Sequence, residues 1–365
     1  MIVMKVAIIL GTRPEIIKAS PVIREFEKRG IDFFILHTGQ HYSYEMDKLF
    51  FEELKLPLPK YNLESGKQEF GKQIGIMVTG IQEILKKEKP DCVAVFGDTN
   101  SVLAGALAAS KLNIKIAHIE AGLRSHDVRM LEETNRIITD NISNFLFTPT
   151  EETRKNLYDE KLDNGNVYVV GNTVVDAVYH NITIANNDNA ILTKLNLKEK
   201  TYIILTTHRP ENVDFKSRLE DIYKGINMIY EKFKIPIIFP MHPRTKKMTE
   251  NFNIKLPDFI NVIDPLGYLD FLYLIKNSRL LITDSGGLQE ESCTLGIPCV
   301  TVRDNTERPE TLDVGSNILA GTNPENILNS ADKMLNKDNN WNNPYGDGNT
   351  ARRVVDILIE NIDMV

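Results

Sequence analysis

Short apolar runs bounded by glycine, proline or polar turn formers recur along the whole chain. Val3–Leu10, Phe33–Leu36, Cys92–Phe96, Ile114–Ile119, Phe145–Phe147 and Val167–Val170 form a first series. Tyr202–Leu205, Pro236–Phe239, Ile260–Ile263, Leu280–Ile282 and Cys299–Val302 form a second. These runs are continuous rather than alternating, which marks strands buried on both faces. The segments between them carry apolar residues at helical spacing, as at Ile16, Ile17, Val22, Ile23 and Phe26, behind Pro14 at a helix start. Alternating strands and helices mean βαβ units and parallel sheets. The expected fold is therefore α/β, with two doubly wound, Rossmann-like domains facing a central cleft.

Gly171-Asn172-Thr173 interrupts the pattern, and the polar Asn186-Asn187-Asp188-Asn189 follows soon after. The expected division is residues 1–170 and 171–349. A C-terminal helix within 350–365 follows the Asn-, Gly- and Pro-rich stretch Trp341–Gly348 and is placed with the first domain. A length of 365 residues agrees with two cores rather than one.

In doubly wound sheets ligands sit beyond the carboxyl ends of the strands, so the loops there are where chemistry is expected. In Leu281–Val300 a strand, the turn Asp284-Ser285-Gly286-Gly287 and a helix follow one another. A helix starting at Ser285, Gly286 and Gly287 presents free N–H groups to an anion, with no side chains in the way. Glu291, one turn further on, is placed to accept the paired hydroxyls of a ribose. A plain capped helix after a glycine turn fits the same residues.

Arg13 and Lys18 flank the helix start after the first strand and suit a diphosphate. Asp98 follows the third strand of the first series, Glu120 the fourth, and Glu132 opens a later helix. Glu120 stands directly after an apolar strand, a position suited to proton transfer. Asp98 and Glu132 also fit capping and helix-dipole roles. His208 and Arg209 follow the first strand of the second series, and His242 with Arg244 the next, as an anion cleft would require. Pro265–Phe271 offers a backbone edge near Leu266 and an aromatic face at Phe271 for a base. Arg308 completes a basic rim.

Charge and composition narrow the partners. The formal net charge of -7 excludes a broad nucleic-acid surface and leaves a small anionic ligand. No His/Cys cluster has metal spacing. Cys92, Cys293 and Cys299 lie in apolar runs and read as buried thiols of a reducing compartment. The N-terminal apolar run is too short to span a membrane, so a cytoplasmic protein is expected. Gly66–Gln73 nearly matches a phosphate-binding loop but lacks its final Ser/Thr and a preceding strand.

Taken in order, seven motifs resemble the non-hydrolysing UDP-N-acetylglucosamine 2-epimerases. They are Gly11–Glu15, Gly97–Thr99, Ile119–Arg124, Glu132–Arg136, Thr207–Arg209, Thr283–Glu291 and Arg303–Glu310. The resemblance implies the glycosyltransferase-B type of fold, a UDP-sugar substrate, a homodimer and no added cofactor. It implies inversion at C2 by elimination and readdition of UDP, as in polysaccharide precursor synthesis. Asp98, Glu120, Glu132 and His208 are then the catalytic candidates. Arg13, Lys18, His208, Ser285, Gly286, Gly287 and Arg308 would hold the diphosphate, Glu291 the ribose, and Leu266 and Phe271 the uracil. Gln40, His41, Lys67 and Arg209 are candidates for a regulatory site in some relatives. Here Tyr42-Ser43-Tyr44 departs from the bacterial pattern near that region, and the loop before Glu132 is shorter. A UDP-sugar-dependent glycosyltransferase, a hydrolysing 2-epimerase and a catalytically idle nucleotide-sugar binding protein remain as alternatives.

Overall fold

The computed structural model describes residues 4–40, 44–66, 68–126, 130–185 and 190–362. The chain divides into two compact units, Met1–Ala177 with Tyr345–Val365, and Val178–Pro344.

The first unit runs β1 (Lys5–Leu10), α1 (Arg13–Arg29), β2 (Asp32–His37), α2 (Tyr44–Glu53), β3 (Tyr61–Asn62), α3 (Phe70–Glu88) and β4 (Cys92–Phe96). It continues with α4 (Asn100–Lys111), β5 (Lys115–Ile119), α5 (Leu131–Ile142), β6 (Phe145–Thr148), α6 (Glu151–Asp159) and β7 (Val167–Val169), and then α7 (Thr173–Ala185) leads into the second unit. The second holds α8 (Ala190–Lys194), β8 (Ile203–Thr206), α9 (Pro210–Val213), α10 (Lys216–Phe233), β9 (Ile237–Pro240), α11 (Pro243–Asn251) and β10 (Ile260–Ile263). After these come α12 (Tyr268–Lys276), β11 (Leu280–Thr283), α13 (Gly286–Thr294), β12 (Cys299–Thr301), α14 (Pro309–Asp313), β13 (Asn317–Leu319) and α15 (Pro324–Leu335). The last helix, α16 (Thr350–Asn361), returns to the first unit, where Asp356 pairs with Arg29 of α1 at 2.5 Å and Asp176 accepts the Ala351 N–H at 2.9 Å.

Both sheets are parallel, with strand orders β3-β2-β1-β4-β5-β6-β7 and β10-β9-β8-β11-β12-β13. The order reverses between β1 and β4 in one sheet and between β8 and β11 in the other. Such reversals leave a crevice beyond the strand ends, where ligands bind in folds of this kind.

The continuous apolar runs follow from burial on both faces. Along β8, Ile203 and Leu205 enter one apolar cluster while Tyr202 and Ile204 enter another, and Ile237 and Ile238 of β9 divide in the same way. Truncating one such side chain, as in Ile204→Ala, costs about 2–5 kcal/mol because the rigid layers cannot collapse into the space. The edge strands β3 (Tyr61–Asn62) and β13 (Asn317–Leu319) carry no sustained apolar run, so the sequence pattern does not mark them. All three cysteines are buried and unbridged. Among the described residues no helix is long and apolar enough to cross a membrane.

Candidate active site

The candidate residues of the first unit gather at its sheet reversal. β1 ends in the turn Gly11-Thr12, and α1 begins at Arg13 with Pro14 in its first turn, where proline's missing N–H costs nothing. Glu15 on that turn is buried. One carboxyl oxygen accepts the Gly11 N–H at 3.1 Å and the Thr12 hydroxyl at 2.7 Å, and the other accepts the Thr99 hydroxyl at 2.9 Å. Glu15 thereby ties the loop after β1 to the loop after β4. Burial pushes its carboxyl up to about 7, against the opposing pull of these hydrogen bonds and of Lys18.

Lys18, expected on a diphosphate, meets the Glu120 carboxylate with its ammonium in this structure. Glu120 leaves β5 with φ of +74°, a left-handed conformation that a non-glycine residue adopts at a cost of order 1–3 kcal/mol and that gathers at functional sites. Its N–H and that of Ala121 both donate to the Phe147 carbonyl, at 3.1 and 3.0 Å, which holds the bend. Gly97 has a φ of +86°, where a side chain is strained, and a Cβ there would stand 2.9 Å from the Lys18 ammonium and 3.2 Å from a Glu120 oxygen. His118 and Asp140 brace this loop from below. The His118 ring meets Asp140 at 2.6 Å and the Gly97 carbonyl at 2.7 Å, all fully buried.

Asp98 is gripped by Arg136, whose Nε and Nη2 lie 2.9 and 2.7 Å from one carboxylate oxygen. Of the two acidic residues opening α5, Glu132 is exposed and Glu133 is buried. Glu133 pairs with Arg136 at 2.7 Å and accepts the N–H groups of Ser125 and His126 at 2.9–3.1 Å. Despite burial, those donors and Arg136 hold its carboxyl below the usual range. The structure therefore joins Asp98 to Glu133 through Arg136. Helical spacing alone cannot tell which of two adjacent carboxylates turns inward; Glu132 is the one the family resemblance names.

Arg13 lies 5.4 Å from the ring of Phe50, within cation–π range. Gln40 is buried and accepts the N–H and hydroxyl of Ser101 at 3.0 and 2.8 Å, capping the start of α4. His41 and Lys67, with Tyr42, Ser43 and Arg129, lie outside the described residues.

In the second unit the loops after β8 and β11 leave the sheet side by side. Ser285 is the N-cap of α13. Gly287 is exposed with open space where a side chain would be, so an anion can approach the backbone there. A Cβ at Gly286 would come within 2.3 Å of a Glu307 oxygen. Behind this turn a carboxylate–guanidinium layer gathers. Arg308 meets Glu290 at 2.5 Å, Arg303 meets Glu307 at 2.9 Å, and Arg209 reaches Glu307 at 3.7 Å. Although burial acts the other way, Arg308, Arg303 and Arg209 hold the Glu307 carboxyl down at about 2.

Glu291 is buried on α13, and its carboxyl is pushed up to about 8 by burial, with only a long 3.4 Å hydrogen bond from Tyr268 acting against it. Leu266 and Phe271 are partly buried against the cluster on one sheet face. His208 places Nδ1 3.0 Å from Asp284, and its ring lies 5.7 Å from that of His242. Asp284, which the sequence suggested was only a turn residue, is buried to 0% exposure. A carboxylate directly after a strand, one residue before the anion seat, was the signal that could have found it.

The model of the family described as UDP-N-acetylglucosamine 2-epimerase matches residues 24–359. A UDP-N-acetylglucosamine 2-epimerase from Methanocaldococcus jannaschii is 54% identical over 97% of this chain and 99% of its own. This chain belongs to the UDP-N-acetylglucosamine 2-epimerase family. A crystal structure of the Methanocaldococcus jannaschii UDP-GlcNAc 2-epimerase in complex with UDP-GlcNAc and UDP superposes with a TM-score of 0.91, covering 98% of this chain and 100% of that one. A UDP-2,3-diacetamido-2,3-dideoxy-D-glucuronate 2-epimerase from Pseudomonas aeruginosa is 40% identical over 97% of this chain and 99% of its own. Members of the family thus differ in the sugar while sharing the UDP and the reacting carbon.

Proposed function

We propose that the protein interconverts UDP-N-acetylglucosamine and UDP-N-acetylmannosamine by anti elimination and readdition of UDP. The C2 proton of the sugar is not acidic enough for direct removal, so its loss is coupled to departure of UDP. The C1–O bond breaks, its electron pair leaves with the diphosphate oxygen, a base takes the C2 proton, and 2-acetamidoglucal forms. UDP then re-adds at C1 while an acid returns a proton to the opposite face of C2.

The observation that carries this reading is the sheet reversal of the first unit, where Asp98 and Glu120 converge on loops held by Lys18, Arg136 and Glu15. Two carboxylates serve as base and acid, with Glu132 or its buried neighbour Glu133 as a third group. In the second unit Ser285, Gly286 and Gly287 receive the diphosphate, helped by His208 and Arg308; Arg13 and Lys18 of the first unit are cations of the kind a diphosphate takes. Glu291 takes the ribose hydroxyls, and Phe271 with the backbone at Leu266 takes the uracil. Stabilising the charge that appears on the leaving UDP is the larger electrostatic task, because that charge exists only as the bond breaks.

Incubation with UDP-N-acetylglucosamine in heavy water tests the proposal. The expected product is a mixture of both epimers with deuterium at C2 and no added cofactor. Retention of the original hydrogen overturns the mechanism, and sugar transfer to an acceptor without exchange favours the glycosyltransferase reading. The Pseudomonas aeruginosa relative makes the diacetamido-glucuronate nucleotide the second substrate to offer.

The homodimer belongs to the same reading. In the first unit α3 and α5 flank α4 and leave Phe70, Ile76, Leu131 and Ile137 exposed, with Phe70 at 51% and Leu131 at 70%. An apolar surface of that kind suits a second copy. Light scattering at the mass of one chain rejects it.

A further inference from the structure

β8 and β11 are neighbours, with Thr206 opposite Thr283, so His208 and Asp284 leave the sheet together. The two oxygens of Asp284 accept the His208 N–H at 3.1 and 3.0 Å. One of them also accepts the Arg209 N–H at 3.0 Å and the Asn212 side-chain amide at 3.2 Å. Asn212 is itself anchored to the Val302 carbonyl at 2.9 Å. The His208 ring also sets its Nδ1 3.0 Å from one Asp284 oxygen. Burial alone would raise the Asp284 carboxyl, yet the His208 ring and the backbone donors hold it below the usual range, so it is a carboxylate.

A carboxylate only accepts hydrogen bonds, so the nitrogen facing it must carry a proton. That assigns the Nδ1–H form to His208 and leaves Nε2 as the nitrogen with a free lone pair, on a side chain 38% exposed. The neighbouring His242 does not compete for Asp284. Its Nδ1 accepts the Arg244 N–H at 3.2 Å, and burial, then His208, lower its own affinity for a proton.

We infer that Asp284 is a positioning residue that fixes the tautomer and orientation of His208, presenting Nε2 beside the Ser285–Gly287 anion seat to the departing diphosphate. This rests on the epimerase reading given above. A carboxylate orienting an imidazole in this way acts through the ring alone, and misorienting the ring costs rate rather than binding.

The test is a cycle of His208→Ala, Asp284→Asn and the double variant, read by deuterium exchange at C2 and by UDP affinity. Asparagine keeps the shape and one acceptor oxygen for the backbone N–H groups, but its amide is free to donate to Nδ1 and permit the other tautomer. Asp284→Asn is expected to lower kcat about 10–100-fold with UDP affinity changed less than threefold. The double variant is expected to be no slower than His208→Ala. Losses that multiply overturn the inference, since Asp284 would then act as general structural support. A second readout does not depend on turnover. Nitrogen-15 spectra of the His208 ring in the free protein should show Nδ1 protonated, and Asp284→Asn should remove that signature; a wild-type ring protonated only at Nε2 overturns the inference. If wild type exchanges no deuterium at C2, the epimerase reading fails, while the ring spectra still decide the role of Asp284.

Discussion

The Lys18 ammonium rests on the Glu120 carboxylate, pairing the second turn of α1 with the bend after β5. The Glu120 side chain is 2% exposed, so breaking the pair takes a compensating charge from a buried carboxylate, at a cost of about 3–5 kcal/mol. Lys18→Met and Glu120→Gln should each lower Tm, and the double variant should recover much of the loss. Turnover should stay abolished in all three, while UDP affinity in Glu120→Gln stays near wild type. Calorimetry with the heavy-water assay checks this, and a fully active double variant refutes it.

Glu15 supplies a pH dependence whose sign is set by its raised carboxyl. The folded protein holds the proton up to about 7, whereas the unfolded chain releases it near the ordinary value of 4.5. The folded state therefore binds more protons between those values, and this contribution to stability is lost as pH rises through that window. Glu15→Gln should flatten the fall in Tm between pH 5 and 8. Because the substitution loosens the grip on Thr99 beside Asp98, kcat should also drop about tenfold. A Tm profile parallel to wild type would sink the assignment.

If Glu291 takes the ribose as proposed, UDP binding should release a proton. At pH 7 its carboxyl, pushed up to about 8, is mostly protonated in the free protein, while ribose hydroxyls donating to it favour the ionised form. Calorimetric titrations in buffers of different ionisation enthalpy should report this release in wild type and a smaller one in Glu291→Gln. The variant should bind UDP about 10–100-fold more weakly. Identical heats in all buffers would refute the ribose role.

Arg136 connects Asp98 to Glu133, and its planar fork reaches both. Lysine cannot make that double contact. Arg136→Lys should lower kcat about 10–100-fold and leave UDP affinity within threefold, as measured by exchange kinetics and titration. An equal loss in affinity would move Arg136 to the nucleotide side.

Arg308 should show two separable effects. On the proposed reading Arg308→Ala should weaken UDP binding through the lost cation, and it should destabilise the fold by breaking the buried pair with Glu290. Adding Glu290→Gln should restore Tm without restoring affinity. Recovery of both would mean that Arg308 serves the fold alone.

The amino-acid sequence by itself determined the two parallel sheets, because a strand buried on both faces must be apolar throughout and its ends must be turns. It also marked the loops after β1, β4, β5, β8 and β11, since chemistry-bearing residues stand there directly after apolar runs. Only the tertiary structure decided which groups meet. Lys18 and Glu120 lie about a hundred positions apart, as the difference of their numbers shows, and Asp284 meets His208 because β8 and β11 pair in register. Glu133 turns inward and Glu132 outward because Arg136 and the Ser125 and His126 N–H groups supply partners on one side only. The bond from Ser101 at the start of α4 to the Gln40 side chain at the end of β2 joins positions 61 apart, which no local pattern shows. Local pattern records burial and backbone geometry, whereas the pairing of charges depends on which strand ends the topology brings together.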